Sequence, residues 1–398
     1  MNPSESKFQN LLENLTTKQK VLLCFILIFL LALPIAIPLI QNHLPTKSTE
    51  TSETVPPEDT DDAKISDIYI NSKYIVALTE NQNLYVLTAE SASIKNVGLG
   101  SASATTPTRV AYSVTAFQTT STVTAYATSN QAFYYTGQNF ATGAALATYF
   151  AVPSNPLTAT TFAVADRCLQ LIDEAGNYRL YAPSANTCGV TKTSTFSTAI
   201  ASDVIGISTT SDSTSYLTSA GDLYRATPAN YTTNADTADT AETSDYTLIA
   251  TDVAATAPLG YLTTSGAVYI NPYYEKSAQL LTTGITSIQT TPKVPNAMVM
   301  LSGSDLLIYP IYYTTTPSLA DNPYSFDTLI AAANLQTTDA NSILYVQSTS
   351  GFNTTLSTQK LIYQTSDGTL ILRDASGTEQ SLTPTLGSLT TLLDFVQN

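Results

Sequence analysis

TSYLTSAGDLYRATP (residues 214–228) and LGYLTTSGAVYINP (residues 259–272) share one pattern. In each, an apolar run leads into a glycine-containing turn, and a second short run carries an aliphatic residue followed by tyrosine. Two apolar runs around such a turn indicate a β-hairpin. With Gly, Asn or Asp in the turn, the pattern recurs in five further stretches, namely YIVALTENQNLYVL (74–87), TVTAYATSNQAFYYTG (122–137), CLQLIDEAGNYRLYAP (168–183), AMVMLSGSDLLIYP (297–310) and KLIYQTSDGTLILRD (360–374).

The marker tyrosine of each hairpin sets the period of the repeat. Six copies carry it 40 to 49 residues apart, at Tyr85, Tyr134, Tyr181, Tyr224, Tyr269 and Tyr309. The seventh copy has Ile371 there, and we assign the longer gap before it to an insertion over residues 318–341, where FDTLIAAANL indicates a short helix. Another apolar run precedes each hairpin, and the residues between copies leave room for a fourth strand. About 45 residues and four strands match a propeller blade.

The sequence therefore predicts an all-β, seven-bladed β-propeller over residues 65–398. The final run, LTTLLDFVQN, has the character of the strand that precedes each hairpin. We expect it to close the ring against the first blade near residues 65–70, because radial closure protects the edges of short strands.

The repeat resembles that of RCC1-like seven-bladed propellers, whose units combine a hydrophobic strand, Leu-Thr, Asp-Gly and an aliphatic-Tyr pair. The nearest matches begin at Tyr261 (YLTTSGAVYI), Tyr216 (YLTSAGDLYR) and Tyr74 (YIVALTENQNLYVL). The resemblance implies the propeller architecture. The recurrent histidine of those repeats is missing, since the one histidine of the chain is His43. We therefore carry over the architecture and not the exchange-factor activity of that family.

Residues 21–40 (VLLCFILIFLLALPIAIPLI) form an uncharged, largely apolar run. Twenty residues are long enough for a helix to cross a bilayer, so this run predicts a single transmembrane helix before the propeller. A cleaved signal peptide is the alternative, but the apolar part exceeds its usual length of about 7 to 15 residues. The lysines in residues 1–20 place that segment in the cytoplasm by the positive-inside rule. The predicted localisation is the cell membrane, single-pass, with the C-terminal domain extracytoplasmic.

Residues 41–64 (QNHLPTKSTETSETVPPEDTDDAK) are rich in Thr, Ser, Pro and acidic residues. Such a segment has little to bury, and its like charges repel one another. We expect a disordered linker between the membrane span and the domain that begins at residue 65.

The overall composition excludes several classes of function. The formal net charge is −15 with a single histidine, His43, and 12% charged residues. An acidic chain of this kind does not bind nucleic acid, because that requires clustered cations. Histidine-dependent triads and most zinc sites are excluded from the folded domain. We therefore predict no cofactor, no metal and no catalytic residues, with a carbohydrate-active enzyme built on carboxylates as the alternative.

Cys168 and Cys188 are the two cysteines of the domain. One begins the second strand of the third blade and the other follows its third strand, so antiparallel neighbours bring them together. In an oxidising exterior we expect a disulfide. Two buried free thiols are the alternative.

Two surface features are candidate binding sites. Outward-facing tyrosines make rigid, amphipathic contacts to protein or sugar, and the doublets supply five candidates: Tyr135, Tyr273, Tyr274, Tyr312 and Tyr313. The loop NADTADTAETSD (residues 234–245) spaces four acidic residues by three positions: Asp236, Asp239, Glu242 and Asp245. This loop is either a cation site or a solvated loop.

Together these observations predict a membrane-anchored propeller that works as a non-catalytic recognition, adhesion or scaffolding module. Its partner would be a protein or a carbohydrate. The alternative is a glycosidase-like enzyme, which requires two carboxylates about 5 to 9 Å apart in one pocket.

Overall fold

The computed structural model describes residues 55–89, 106–120, 122–146, 149–153, 157–165, 167–184, 188, 193, 195–209, 213–226, 246–258, 260–270, 278–290, 293, 297–303, 305–310, 335–336, 340–346 and 360–398. These residues form one compact unit that begins at Pro57. The predicted cytoplasmic segment (1–20), the predicted span (21–40) and residues 41–54 of the predicted linker lie outside the described residues, as does most of the predicted insertion.

Seven antiparallel sheets follow one another along the chain, and each is one blade. Blade 1 contains β1 (Ile65–Ile70), β2 (Tyr74–Thr79), β3 (Leu84–Thr88) and β4 (Thr108–Ala111). Blade 2 contains β5 (Val114–Thr119), β6 (Thr124–Thr128), β7 (Phe133–Thr136) and β8 (Phe150–Ala151). Blade 3 contains β9 (Ala159–Ala165), β10 (Cys168–Asp173) and β11 (Tyr178–Tyr181). Blade 4 contains β12 (Val204–Thr209), β13 (Thr214–Thr218), β14 (Leu223–Ala226) and β15 (Tyr246–Ala250).

Three further blades complete the ring. Blade 5 contains β16 (Val253–Ala257), β17 (Gly260–Thr263), β18 (Val268–Ile270) and β19 (Gln279–Thr282). Blade 6 contains β20 (Ser287–Ile288), β21 (Ala297–Ser302), β22 (Asp305–Pro310) and β23 (Leu335–Gln336). Blade 7 contains β24 (Ala340–Val346), β25 (Leu361–Thr365), β26 (Leu370–Arg373) and β27 (Glu379–Leu382). The predicted all-β, seven-bladed propeller is confirmed.

The hairpin turns identified in the sequence also join each blade to the next. The turn of blade 4 places Gly221 in the left-handed region with φ 87°, which glycine adopts without steric cost. The carbonyl oxygen of Gly221 then accepts the N–H of Val253, the first residue of blade 5, at 2.9 Å. In blade 1, Gln82 adopts the same conformation with φ 62° and accepts the N–H of Val114 of blade 2 at 2.9 Å. The repeated turn is therefore a connection between blades.

The marker tyrosines of three blades stack on a tyrosine directly across the strand pair. The ring centroids are 5.2, 5.0 and 5.3 Å apart in blades 2, 4 and 5, in the pairs Tyr126–Tyr134, Tyr216–Tyr224 and Tyr261–Tyr269. Two predicted markers are wrong. Tyr181 pairs with Leu169 and Tyr309 with Met298, which lie farther from the hairpin turn. Counted from its glycine, blade 3 has Arg179 at the marker position, opposite Leu171.

Among the described residues blade 3 has three strands, and hydroxyl groups of residues after β11 bond its edge. Ser197 donates its N–H to the carbonyl of Leu180, and its Oγ accepts the N–H of Leu180 at 3.0 Å. Thr193 repeats the arrangement with Ala182, accepting its N–H at 2.7 Å. Side-chain oxygens thus satisfy strand N–H groups where no regular partner strand runs.

The predicted disulfide between Cys168 and Cys188 is present, with an S–S distance of 1.98 Å and both residues fully buried. Cys168 begins β10, and Cys188 belongs to the connection between β11 and β12. The carbonyl of Cys188 also accepts the hydroxyl of Thr214 on β13 at 3.2 Å. The bond therefore attaches the irregular edge of blade 3 to its own sheet and to blade 4.

The ring closes through the segments at its two ends. Ile65 donates its N–H to the carbonyl of Pro384 at 2.9 Å, and Gly387 donates to the carbonyl of Asp61 at 2.8 Å. Residues before Ile65 thus belong to the folded unit, which begins at Pro57. The predicted linker boundary at residue 64 is therefore too late, because backbone pairing with the end of blade 7 holds the acidic residues in place.

Asp59 fixes this first segment on the hairpin turn of blade 1. Its carboxylate accepts hydrogen bonds from the hydroxyl of Thr79 at 2.6 Å and from the amides of Asn81 and Asn83 at 2.6 and 3.1 Å. Burial by itself raises the pKa of Asp59, but these three donors outweigh it and leave the pKa below its usual value.

The last element is helix α1 (Leu389–Gln397), preceded by a 3-10 helix at Leu386–Ser388. The prediction of a closing strand in LTTLLDFVQN is wrong. Its apolar residues Leu389, Leu392, Leu393 and Val396 recur with the helical period and are all buried. They join one core cluster with residues of blades 1 and 7. The segment does close the ring, but as a helix.

The predicted single-pass membrane localisation is contradicted by the helices of the structure. Across the described ranges from residue 55 onward, no helix combines the length and the apolar character that crossing a membrane requires. Residues 21–40, to which the sequence assigned the span, lie outside those ranges.

Candidate functional site

The first strand of each blade lies next to the first strands of its neighbours, as shown by the contacts of β1 with β5 and β24 and of β12 with β9 and β16. These strands surround the propeller axis. Two cavities lie between them. One has a volume of about 310 Å³ and is lined from blades 6, 7 and 1, and the other about 200 Å³, lined mainly from blades 2 to 5. Both are lined by Thr290, and we refer to them together as the axial channel.

A β-bulge recurs at the start of the first strands. The register shifts between Ile65 and Asp67, between Val114 and Ala116, between Val204 and Gly206, and between Val253 and Ala255. A bulge leaves one residue unpaired and turns its side chain away from the ladder. The bulged residues are all exposed, and they are Ser66, Thr115, Ile205 and Ala254.

Ile205 differs from the other bulged residues, which are small or hydroxylated. Its side chain is 59% exposed and lines the 200 Å³ cavity together with Phe162, Ile207 and Pro258. A large aliphatic side chain that stays in water at the edge of an apolar cavity gains free energy when a partner covers it. This part of the channel is therefore suited to receive an apolar group.

The larger cavity of the channel is lined by a pair of opposite charges, Lys293 of blade 6 and Asp67 of blade 1, and Lys293 also contacts blade 2. Lys293 lies between β20 and β21 of blade 6, and its Nζ is 2.7 Å from Oδ1 of Asp67 on β1. The same Nζ lies 5.5 Å from the ring centroid of Phe117 on β5. The Lys293 side chain is 14% exposed and that of Asp67 is 41% exposed. The ammonium group is thus largely enclosed, whereas the carboxylate remains accessible from the cavity.

Two glutamines bond neighbouring first strands across the channel wall. The amide of Gln118 donates to the carbonyl of Phe162 at 2.8 Å and accepts the N–H of Val164 at 3.1 Å. Gln289, at the equivalent position of blade 6, donates to the carbonyl of Ile343 and accepts its N–H at 3.3 and 3.2 Å. Each amide donates one hydrogen bond and accepts another, as the backbone of a paired strand would. These bonds make this wall rigid.

Among the described residues that line the two cavities, Asp67 is the single carboxylate and Lys293 the single cation. Glycoside hydrolysis uses a pair of carboxylates on either side of the scissile bond. The described lining presents one carboxylate, Asp67, in the larger cavity and the exposed Ile205 in the smaller one.

The structure corrects one predicted binding residue. Tyr135 is 1% exposed, and its ring stacks on Phe140 with centroids 3.8 Å apart. It belongs to the core between blades 2 and 3 and not to a surface. The remaining candidates all lie outside the described residues: Tyr273, Tyr274, Tyr312, Tyr313, Asp236, Asp239, Glu242 and Asp245.

Sequence reasoning missed Ile205, Asp67 and Lys293. For the first two, a signal exists in the runs that precede the hairpins. When the first strands ISDIYI (65–70) and VIGIST (204–209) are aligned, Asp67 stands where blade 4 has Gly206. In the same way, Ile205 stands where blade 1 has Ser66. The position of Lys293 depends on the path of a loop, and the sequence carries no comparable signal for it.

Comparisons with known proteins concern the fold. No family model matches the chain, and no curated protein matches it. Among solved structures, human WBSCR16 is similar with 13% identity over 64% of this chain and 78% of that chain, at a TM-score of 0.46. Prp20p from Saccharomyces cerevisiae, whose binding properties to Gsp1p and histones were examined, is similar with 13% identity over 70% and 79%, also at 0.46.

A third similar structure is yeast RCC1 (Prp20) bound by Kap60, with 12% identity over 62% of this chain and 69% of that chain and a TM-score of 0.40. The predicted resemblance is confirmed as one of architecture. The seven blades described above are the basis for this statement, and RCC1-like proteins are among the structures found similar. Identities this low concern the fold alone.

Proposed function

We propose that the propeller is a non-catalytic recognition module that receives a basic segment of a partner protein at the axial channel. The observation that carries this proposal is Ile205, a large aliphatic side chain left 59% exposed at a cavity of the channel. Energetically important residues at interfaces are apolar or aromatic anchors that fill pockets and lose their water on binding. Ile205 and the cavity beside it have this character.

The charge of the molecule supports a basic partner segment. The chain carries a formal net charge of −15, and the carboxylate of Asp67 is 41% exposed beside the larger cavity. Complementary charge raises the association rate and excludes partners of the same sign. An acidic or nucleic-acid partner would be repelled, whereas a lysine- or arginine-containing loop would be attracted.

The test uses the full chain in the cells from which the sequence comes. A photo-crosslinking amino acid placed at Ile205 is expected to capture one partner, which is then purified for binding measurements. Leu248 on the outermost strand of blade 4 is the matched control, since its side chain is 47% exposed and lies away from the channel. Replacing Ile205 by Glu should weaken binding of the purified partner about 30-fold, the effect of losing about 2 kcal/mol at an anchor.

Leu248→Glu is expected to leave the affinity within about threefold of wild type, as a residue outside the interface would. Equal effects of the two substitutions would place the partner elsewhere and would contradict the proposal. Turnover of a panel of glycoside substrates by the purified chain, abolished by Asp67→Asn, would contradict the non-catalytic part.

A further inference from the structure

We propose that Asp67 and Phe117 form a receptor for a primary ammonium group, and that Lys293 is its resident ligand, supplied by the chain itself. A lysine side chain of the partner would displace Lys293 and take its place. This inference rests on the proposed function, because it names the group that the partner places in the channel.

The geometry around the Lys293 ammonium is that of cation recognition. Its Nζ has the carboxylate of Asp67 on one side at 2.7 Å and the ring of Phe117 at 5.5 Å. A carboxylate supplies a charge-assisted hydrogen bond, and the face of an aromatic ring attracts a cation within about 6 Å of its centroid. The two groups belong to different blades, and neither needs Lys293 for its own position on its strand.

The carboxylate is held in place without the ammonium. Oδ1 of Asp67 accepts the backbone N–H of Ile68 at 2.8 Å, and the β-bulge at Ser66 sets the direction of the strand. Phe117 is 2% exposed and is fixed in the core between blades 1 and 2. A receptor whose parts are fixed before binding loses little entropy when a ligand arrives.

A competing ammonium group has a route to this receptor. Asp67 remains 41% exposed, and it lines the cavity of about 310 Å³ together with Ser66 and Gln364. That volume is at the lower end of the range of about 300 to 1,000 Å³ for small-molecule sites. A lysine side chain, an unbranched stem with a terminal ammonium, fits a cavity of this size.

Lys293 restricts access by competition. It belongs to the same chain as the receptor, so it acts as an intramolecular ligand, whose effective concentration is on the order of millimolar. A free amine must exceed that concentration to displace it. A partner that is already anchored elsewhere on the channel supplies its own lysine at a comparable effective concentration. The resident lysine thus makes occupancy depend on a partner that binds at more than one point.

The experiment is chemical rescue in the full chain. Lys293→Ala removes the resident ammonium, and the probe is n-butylammonium, which has the four carbons and the ammonium group of a complete lysine side chain. Thermal unfolding and calorimetric titration are measured with n-butylammonium and with n-butanol, which lacks the charge. We expect the unfolding temperature of the variant to rise with saturating, millimolar n-butylammonium and to change much less with n-butanol. Wild type should need a higher concentration of n-butylammonium, because Lys293 competes for the same receptor.

Lys293→Ala/Asp67→Asn is the matched control, because it contains the same vacated space without the carboxylate. Equal responses of the single and double variants would overturn the receptor, as would a folded single variant that binds no n-butylammonium. If Lys293→Ala does not fold, Lys293→Met retains most of the side-chain volume. Saturable methylammonium binding by that variant, abolished by Asp67→Asn, then supports the receptor, and its absence overturns it.

The outcome separates this inference from the proposed function. If Lys293→Ala binds no ammonium probe while Ile205→Glu still weakens binding of the partner, the receptor is refuted and the recognition module stands. If Lys293→Ala binds the ammonium probe but substitution of Ile205 leaves the affinity for the partner unchanged, the receptor stands and the recognition module is refuted.

Discussion

Removing the disulfide of blade 3 is expected to lower the free energy of unfolding by about 3 kcal/mol. Cys168 and Cys188 are separated by 20 residues, and the chain-entropy relation gives about 3 kcal/mol for a loop of this length at 25 °C. The compact unit contains about 340 residues, and unfolding entropy of about 2.1 cal/mol/K per residue makes one kelvin worth about 0.7 kcal/mol. The midpoint should therefore fall by about 4 °C.

The assay compares wild type with Cys168→Ala/Cys188→Ala by calorimetry and by urea unfolding. Reduced wild type is the control for the missing sulfur atoms, and it should unfold within about 2 °C of the double variant. Hydrogen exchange should locate the effect, because the N–H groups of Ser197 and Thr193 bond the edge of β11 and local opening reports local stability. They should lose protection while blade 5 keeps it. A midpoint shift below about 1 °C, or uniform loss of protection, would refute the reasoning.

Three further substitutions test contacts that hold neighbouring blades and the first segment in place. Gln118→Met should lower the free energy of unfolding by about 1 to 2 kcal/mol in urea, because the backbone groups of Phe162 and Val164 lose their partner; Gln118→Glu should be worse at neutral pH, since its charge faces the Phe162 carbonyl. Asp59→Asn should remove part of the acid dependence of stability. The pKa of Asp59 is lower in the folded chain, so its contribution is present above the unfolded value of about 3.9 and disappears as pH falls through the folded value. Urea midpoints between pH 2 and 6 should show a shallower decline for the variant, and parallel curves would contradict the assignment.

The fold was predictable because the hairpin turn has a strict backbone requirement. A turn such as that at Gly221 needs a residue with positive φ beside an apolar strand; glycine marks this position in five of the seven hairpins, and Gln82 and Gln131 adopt the conformation in blades 1 and 2. Which residues face each other across the strands of a blade was harder to predict from the sequence. Tyr181 satisfies the aliphatic-tyrosine pattern yet lies two positions beyond Arg179, because a one-dimensional pattern does not record which residue faces which.

The last segment shows that a short apolar run does not by itself distinguish a strand from a helix. LTTLLDFVQN contains few residues, and its apolar positions fit a strand and a helix almost equally well. Packing decides the matter, since Leu389, Leu392 and Val396 must all reach one core. The residues that meet in the channel could not be predicted from the sequence either. Asp67 and Lys293 are 226 residues apart, and only closure of the ring brings them together.

Ring closure through residues 61–65 and 384–387 has a consequence for how the molecule is made. The first blade lacks its neighbour on one side until residue 384 has left the ribosome, since the N–H of Ile65 bonds the carbonyl of Pro384. Until then the apolar flank of that blade faces water, and contacts between the ends of so long a segment form late. A chaperone that covers this flank during translation would prevent two nascent chains from associating through it.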